Sequence, residues 1–435
     1  MMSSSALGGP TNTSHILIAA TTVGLTIGAV LLGLNLKGGE KSIEQSIARL
    51  YDTQDRQFDR AMGMLLGPAI VEGNRFDVLL NGDEIFPAML AAIRDAERSI
   101  TFESYIYWSG SIGQQFAAAL SERARAGVRV HLLLDWLGSN KLDASQLEMM
   151  KRAGVRVRRF HEPVWYHLHR MNNRTHRKVL VIDGKVGFTG GVGIADAWAG
   201  NAQDPGHWRD THFRAEGPVV AQMQAVFMDN WIKVTGEVLH GVEYFPALPR
   251  RGESAAQMFS SSPAGGSESM RLMYLLAITA AARSIHLSSA YFVPDDLTSN
   301  ALIAAAKRGV RVRIVTPGEH MDAETVRRAS RARWGELLEA GIEIYQYQPT
   351  MYHCKVMIVD GLWVSVGSTN FDSRSFSLND EANLNIFSAS FASRQIEIFQ
   401  QDVARSKPIT LSEWQQRPLG EKFLDFLASL LRMQL

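Results

Sequence analysis

His176-Arg177-Lys178-Val179-Leu180-Val181-Ile182-Asp183 and His353-Cys354-Lys355-Val356-Met357-Ile358-Val359-Asp360 are one phrase written twice, 177 residues apart. In each copy His-x-Lys is followed by four apolar residues and an Asp. A short apolar run of this kind reads as a buried strand, and the two-residue period of a strand puts the His and the Lys on one face. The same alternation turns Cys354 away from that face, so it is given no catalytic role. Gly190 and Gly367 keep the 177-residue separation, which marks this stretch as the part of a repeat without insertions.

Outward from the motif, the repeat extends through most of the chain. Arg98-Ser99-Ile100-Thr101-Phe102 matches Arg283-Ser284-Ile285-His286-Leu287 at an offset of 185. Gly127-Val128-Arg129-Val130 matches Gly309-Val310-Arg311-Val312 at 182, and Ala153-Gly154-Val155 matches Ala340-Gly341-Ile342 at 187. Preserved order with small drift means two copies of one domain with loop insertions. In each copy a helical pattern (Phe86, Met89, Leu90, Ile93; Met273, Leu276, Ile278) leads into a β-rich run, and later helices end at Gly127 or Gly309 and at Gly154 or Gly341, where a left-handed residue is wanted. Strands alternating with helices predict an α/β fold of two tandem, pseudo-two-fold-related domains with mostly parallel sheets and flanking helices. The expected divisions are an N-terminal tail and anchor (1–36), a connector (37–71), the first domain (72–245), the second (246–405) and a C-terminal helical tail (406–435).

With 46% hydrophobic and 20% charged residues among 435, the chain is neither a disulfide scaffold nor disordered. Its 45 Lys and Arg against 44 Asp and Glu give a net charge of +1, no global field for nucleic acid. Ile16 to Leu34 is 19 residues without a charge and predicts a transmembrane helix. Met1 to His15 holds no Lys or Arg, and Gly33-Leu34-Asn35-Leu36 is a poor cleavage site, so an anchor is favoured over a signal peptide. Lys37, Lys41 and Arg49 place the remainder on the cytoplasmic side.

The doubled His and Lys suit phosphoryl chemistry. An imidazole attacks phosphorus or moves a proton near neutral pH, and an ammonium offers three donors and a fixed charge to phosphate oxygens. Two pairs supply one histidine to attack, one to protonate the leaving oxygen, and two lysines for the charge that builds on phosphorus. No metal or other cofactor is called for.

With these motifs the chain resembles the phospholipase D superfamily from about residue 72 to 405. Gly367-Ser368-Thr369-Asn370-Phe371-Asp372-Ser373-Arg374-Ser375 is similar to that family's Gly-Ser-x-Asn-x-Asp-x-Arg-Ser phrase, with Asn379 and Glu381 following. Asn81-Gly82-Asp83, Tyr105-Ile106-Tyr107-Trp108, His207-Trp208-Arg209-Asp210-Thr211-His212 and Tyr291-Phe292-Val293-Pro294 resemble the bacterial cardiolipin synthases. The resemblance implies two phospholipase D-like domains and a phosphatidyltransferase that moves a phosphatidyl group from phosphatidylglycerol to another phospholipid through a phosphohistidine. Hydrolysis of phospholipid, and less so of nucleic acid, is the alternative.

It also implies roles. His176 is the expected nucleophile and His353 the general acid and base; Lys178, Lys355 and Asn370 bind the phosphate oxygens, with Ser368 and Gly191 counted beside them. Asp210 and Glu381 orient the imidazoles. Asp183 and Asp360 complete the catalytic motif, with a structural part favoured for them at the far end of the strand. Gly193 stands where the second copy has Asn370, so one amide donor is missing and a backbone N–H is expected in its place. The implied partners are phospholipids and a membrane, not nucleic acid, and the implied location is the bacterial inner membrane, single-pass with cytoplasmic catalytic domains.

Three further stretches are read more plainly. His161, His167 and His169 (HEPVWYHLH) read as a polar loop at the pocket mouth rather than a metal site. Trp165, Tyr166, Leu168 and Met171, matched by Met351 and Tyr352 in the second copy, are either core or a rim for acyl chains. Phe423, Phe426, Leu427, Leu430 and Leu431 have helical spacing, and packing against the second domain is favoured over membrane docking.

Overall fold

The structure, a computed structural model, describes residues 12–35, 43–160, 162, 173–262 and 268–431. The motif runs form the strands Val179–Ile182 and Lys355–Val359. Alternation divides their side chains between cores. Leu180 and Ile182 pack with Phe102, Phe116 and Phe188, whereas Val179 and Val181 pack with Phe213, Met223 and Phe399. In the second copy Met357 and Val359 join Trp334 and Trp363, while Cys354, Val356 and Ile358 enter the same core as Val179.

Each motif strand turns back on itself. Asp183 and Gly184 hold φ of 53° and 64°, and Asp360 and Gly361 hold 55° and 67°. The Lys185 N–H donates to Ile182 O at 2.9 Å and the Leu362 N–H to Val359 O at 3.1 Å. Two successive left-handed residues give a turn whose twist matches that of paired strands. Val186–Gly190 and Trp363–Gly367 therefore return antiparallel.

Fifteen strands form one sheet, in the order Ser406–Ile409, Glu343–Tyr347, Arg311–Pro317, Ser284–Ser289, Lys355–Val359, Trp363–Gly367, Glu381–Phe387, Ser254–Ser261, Val71–Leu80, Thr211–Glu216, Val186–Gly190, Val179–Ile182, Ser99–Ser104, Arg129–Asp135, Arg156–Phe160. Outward from the central pair, Val71–Leu80 and Ser254–Ser261, the two copies follow the same order of seven strands, and Ser406–Ile409 adds an edge. The expectation of mostly parallel sheets is corrected: among the described residues ten of the fourteen pairings in this sheet are antiparallel. Within this sheet parallel pairing is confined to the last three of the seven strands of each copy, which crossover helices join. The inner strands are hairpins and returns, which need no crossover.

The helices Val219–Thr235 and Ala389–Ala404 cover one face of the sheet across its centre, and their Val219, Met223, Phe391 and Phe399 fill a core common to both copies. The opposite face is covered separately, by Asn81–Arg94 and Ser111–Arg125 in the first copy and by Ser269–Ala280 and Asp296–Lys307 in the second. The connector holds the helix Arg56–Leu66, whose Phe58, Met62 and Leu66 pack into the second copy's core.

Two expectations about the ends change. Ile16 to Leu34 lies within a helix, Asn12–Asn35. Past Thr26 nearly all of its side chains lie outside the described residues, and the eleven from Ile16 to Thr26 rise about 16 Å against a hydrocarbon core of about 30 Å. Among the described residues no helix is long and apolar enough to cross a membrane. The C-terminal tail opens with a strand, Ser406–Ile409, before the helices Leu411–Gln415 and Leu419–Ser429. Its apolar residues do not pack inward as expected: Phe423 is 62% exposed and Leu430 63%.

Candidate active site

The two His-x-Lys segments reach one cavity because each is threaded into the other copy. Thr175 and Asp380 form a parallel bridge, as do Arg209 and Tyr352. The His176 N–H donates to Asp380 O and the His353 N–H to Arg209 O, both at 2.8 Å. Residues one step further along, Glu381 and Asp210, are thereby carried to the opposite copy's imidazole. His176 Nδ1 lies 3.0 Å from Glu381 Oε1, and His353 Nδ1 lies 2.7 Å from Asp210 Oδ2. A carboxylate accepts from Nδ1–H, which leaves Nε2 of each ring with its lone pair.

Both carboxylates are buried and further held. Asp210 accepts from Trp198 Nε1–H at 3.0 Å, while Glu381 accepts from the Ser368 hydroxyl. The copies thus use different residues for one task. A β-carbon at Gly191 would lie 2.3 Å from Asp210 Oδ1, so the carboxylate fills the space a side chain would need. A β-carbon at Gly193 would lie 2.6 Å from Ile106 Cβ and 3.2 Å from the Trp198 ring. Asp210 at Gly191, and Ile106 with the Trp198 ring at Gly193, are thus the physical reason for the glycines that break the repeat.

The cavity encloses about 230 Å³ and is lined by His176, Lys178, His353 and Asn370, with Tyr105, Arg174, Trp198, Trp208, Tyr291, Asp322 and Arg374 among its walls. Of the residues anticipated for substrate, Asn370 faces it. Ser368 and Gly191 do not line it: Ser368 is spent on Glu381, and the Gly191 N–H donates to Thr211 O at 3.2 Å. Lys178 Nζ donates to His176 O at 2.8 Å, and Lys355 Nζ to His353 O at 2.9 Å while lying 3.2 Å from His353 Nε2.

Asp183 and Asp360, counted with the catalytic motif, stand apart from this cavity. Asp183 accepts from the backbone N–H groups of Glu97, Arg98 and Ser99 at 2.7–3.0 Å. Asp360 does the same for Ala282, Arg283 and Ser284 and accepts from Thr53 Oγ1 at 2.6 Å. Each ties a hairpin turn to the start of a neighbouring strand, a structural duty that corrects their place in the catalytic set.

Burial dominates the electrostatics. It pushes His176 down to about 4, with Lys178 and Lys355 acting in the same direction against Glu381. His353 is pushed down to about 3 by burial and Lys355. Burial and the facing Lys355 bring Lys178 down to about 7, and burial lowers Lys355 as well. Asp210 and Glu381 would be raised by burial, but the imidazole and lysine beside each hold them below the ordinary range. Both imidazoles are therefore neutral at pH 7, and the carboxylates that act on the lysines, Asp210 and Glu381 on both and Asp322 on Lys355, offset only part of the effect of burial.

Sequence reasoning missed several wall residues. Arg174 shares the parity of His176 and Lys178, which was signal enough. Tyr105, Trp208, Tyr291 and Arg374 stood in phrases that carried the resemblance but received no role. Trp198 had no signal. The loop with His161, His167, His169, Trp165, Tyr166, Leu168 and Met171 lies outside the described residues, while Met351 and Tyr352 are core. Among the described residues no group of three or more His, Cys, Asp or Glu is placed to hold a metal ion.

A family model described as "Cardiolipin synthase, PLD-like domain" matches residues 89–204 and 274–403, one match over each copy of the motif. The chain is 38% identical over 358 residues to the cardiolipin synthase of Geobacillus kaustophilus (strain HTA426), covering 81% of this chain and 71% of that one. It is 37% identical over 398 residues to a probable cardiolipin synthase of Bacillus subtilis (strain 168), covering 90% and 78%. In fold alone it is similar to the crystal structure of phosphatidylserine synthase from Haemophilus influenzae Rd KW20, with a TM-score of 0.65 at 14% identity over 87% of this chain and 100% of that one. With matches over both copies, and both motifs meeting in one cavity, the chain belongs to the cardiolipin synthase family of phospholipase D-like enzymes.

Proposed function

We propose that the protein makes cardiolipin by transferring the phosphatidyl group of one phosphatidylglycerol to the free alcohol of another phospholipid. The observation that carries this is the pair of imidazoles lining one cavity with Lys178, with Lys355 Nζ 3.2 Å from His353 Nε2, and each ring fixed through Nδ1 by the other copy's carboxylate. His176 Nε2 attacks phosphorus as the bond to the leaving glycerol breaks, and His353, which takes a proton from solvent on Nε2 when the substrate anion binds, delivers that proton to the leaving oxygen. The incoming alcohol then gives its proton to His353 and attacks the phosphatidyl-histidine, releasing His176. Lys178, Lys355 and Asn370 hold the non-bridging oxygens as charge builds. The helix Asn12–Asn35 and the lipid substrates support an active site held at the cytoplasmic face of a membrane.

Purified protein given vesicles of phosphatidylglycerol releases glycerol and forms cardiolipin on this reading. Phosphatidic acid as the sole product reassigns the protein to hydrolysis.

The lowered histidine and lysine give a second expectation. Burial first and Lys355 next keep His353 neutral, and the same two causes hold Lys178 at about 7. A phosphodiester anion between the lysines offsets the charge part for both, so their proton affinities rise on binding. Binding of a short-chain phosphatidylglycerol at pH 7 takes up protons, and Lys178→Arg, whose charge is fixed, leaves only the share that reaches His353. Calorimetry in buffers of different ionisation enthalpy measures this. Zero uptake by Lys178→Arg across pH 6 to 8 removes His353 as the acid.

A further inference from the structure

The helix Leu419–Ser429 is inside out. It lies on Glu324–Ala332 and buries its polar stripe: Asp425, 1% exposed, accepts from Arg331 Nε and Nη2 at 3.0 Å and from Arg417, and Glu421 pairs with Arg331 at 3.0 Å. Only Ala428 joins an apolar cluster, with Val293, Val326 and Ala329. The outward face carries Leu419, Phe423, Leu424, Phe426, Leu427 and Leu430, between 42% and 82% exposed. A helix on a water-facing surface has the reverse arrangement. A contiguous apolar face of this size marks an interaction surface.

We infer that this helix docks on the interfacial layer of an anionic phospholipid membrane and holds the active-site mouth against it. Two observations choose that occupant. Residues 324–333 and 405–431 hold eight basic residues against four acidic, and Asp296 and Glu336, which pair with Arg333, bring the acidic number to six, so this corner keeps an excess of positive charge. A second copy docking face to face would set these excess charges against each other, while an anionic leaflet attracts them. The helix is also beside the cavity. Asp322 and Tyr291 line the cavity, and the Tyr291 hydroxyl donates to Asp322 Oδ2 at 2.9 Å. The supporting helix begins two residues later, and Val293 and Ala428 share one cluster. The apolar face thus stands about one helix layer, ~10 Å, from the site.

The inference rests on the lipid reading of the site, and its test separates the two. Phe426→Cys in the full chain is labelled with a polarity-sensitive dye; Cys354 is buried and does not compete. Vesicles containing phosphatidylglycerol shift the emission to the blue, phosphatidylcholine vesicles do so less, and 0.5 M salt weakens the shift. No shift, or one that appears with protein concentration alone, overturns the proposal, the latter in favour of self-association. In a second arm, Phe423→Ser/Phe426→Ser/Leu430→Ser raises the apparent KM on vesicles about tenfold and leaves turnover of monomeric short-chain phosphatidylglycerol unchanged. Unchanged vesicle kinetics also overturn the docking. If the unaltered protein turns over neither lipid, the functional reading itself is wrong.

Discussion

His176→Ala and His353→Ala each lower kcat by about 10³-fold or more, and the double variant is no worse than the poorer single. Both rings are buried at the base of one cavity, and in the proposed two-step exchange each has a different duty in the same step. Losing the nucleophile removes the covalent route. Losing the acid leaves an alkoxide to depart unaided. Groups that act as a unit are not additive, so the double variant adds nothing. Glu381→Gln and Asp210→Asn extend the test, because an amide loses the charge that favours Nδ1–H and can turn its NH2 to the ring, which selects the other tautomer. Each is expected to cost about 10²-fold or more, through the histidine of the opposite copy. The measurement is single-turnover and steady-state kinetics on phosphatidylglycerol, with near-ultraviolet circular dichroism to show that packing is intact. Turnover within tenfold of the unaltered protein in either alanine variant rules out the paired roles.

The second large effect is on stability. Arg209 and Asp402, each 4% exposed, form a two-bond pair across the copies, Nε to Oδ1 and Nη2 to Oδ2, both 2.9 Å. Arg209 Nη1 also donates to Asp210 O at 2.7 Å, and the Tyr352 hydroxyl donates to Asp402 Oδ2 at 3.0 Å. Arg209→Met leaves Asp402 charged and buried opposite an apolar chain. Breaking a buried pair in this way costs about 3–5 kcal/mol. Arg209→Met/Asp402→Leu removes both charges and regains most of that loss, since a well-packed apolar pair often equals a buried ion pair. Urea unfolding followed by tryptophan fluorescence reads the difference. A single variant as stable as the parent, or a double variant no better than the single, excludes this account of the contact.

Much of this was legible in the chain, and the exceptions have physical causes. The motif strands could be read because four apolar residues between Lys and Asp leave little choice, and the repeat follows from offsets. The sheet direction was misread because the strand–helix grammar governs only the outer strands of each copy. Asp183-Gly184 and Asp360-Gly361, each between apolar runs, were the hairpin signals that gave the inner strands their direction. As the last residues of a motif they say nothing of direction; as turns they set it. Asp210 and Glu381 were found as histidine partners, but not which histidine each would serve. That depends on bridges between residues about 205 and 143 apart, and strand periodicity carries no information at that range. The outward apolar face of the last helix was misassigned for a related reason. Spacing shows that a face exists, and the partners of Asp425 decide which way it points.

The exchange of carboxylates between the copies also bears on heredity. A chimera joining residues up to about 250 from one relative to the remainder of another would keep both motifs intact, yet each imidazole would meet a carboxylate, a bridge strand and a bracing Trp or Ser selected beside a different ring. The duplication is therefore no longer two interchangeable modules. Substitutions near His176 act on contacts made by residues around 380, and those near His353 on contacts made by residues around 210, so neither half keeps its site without the other.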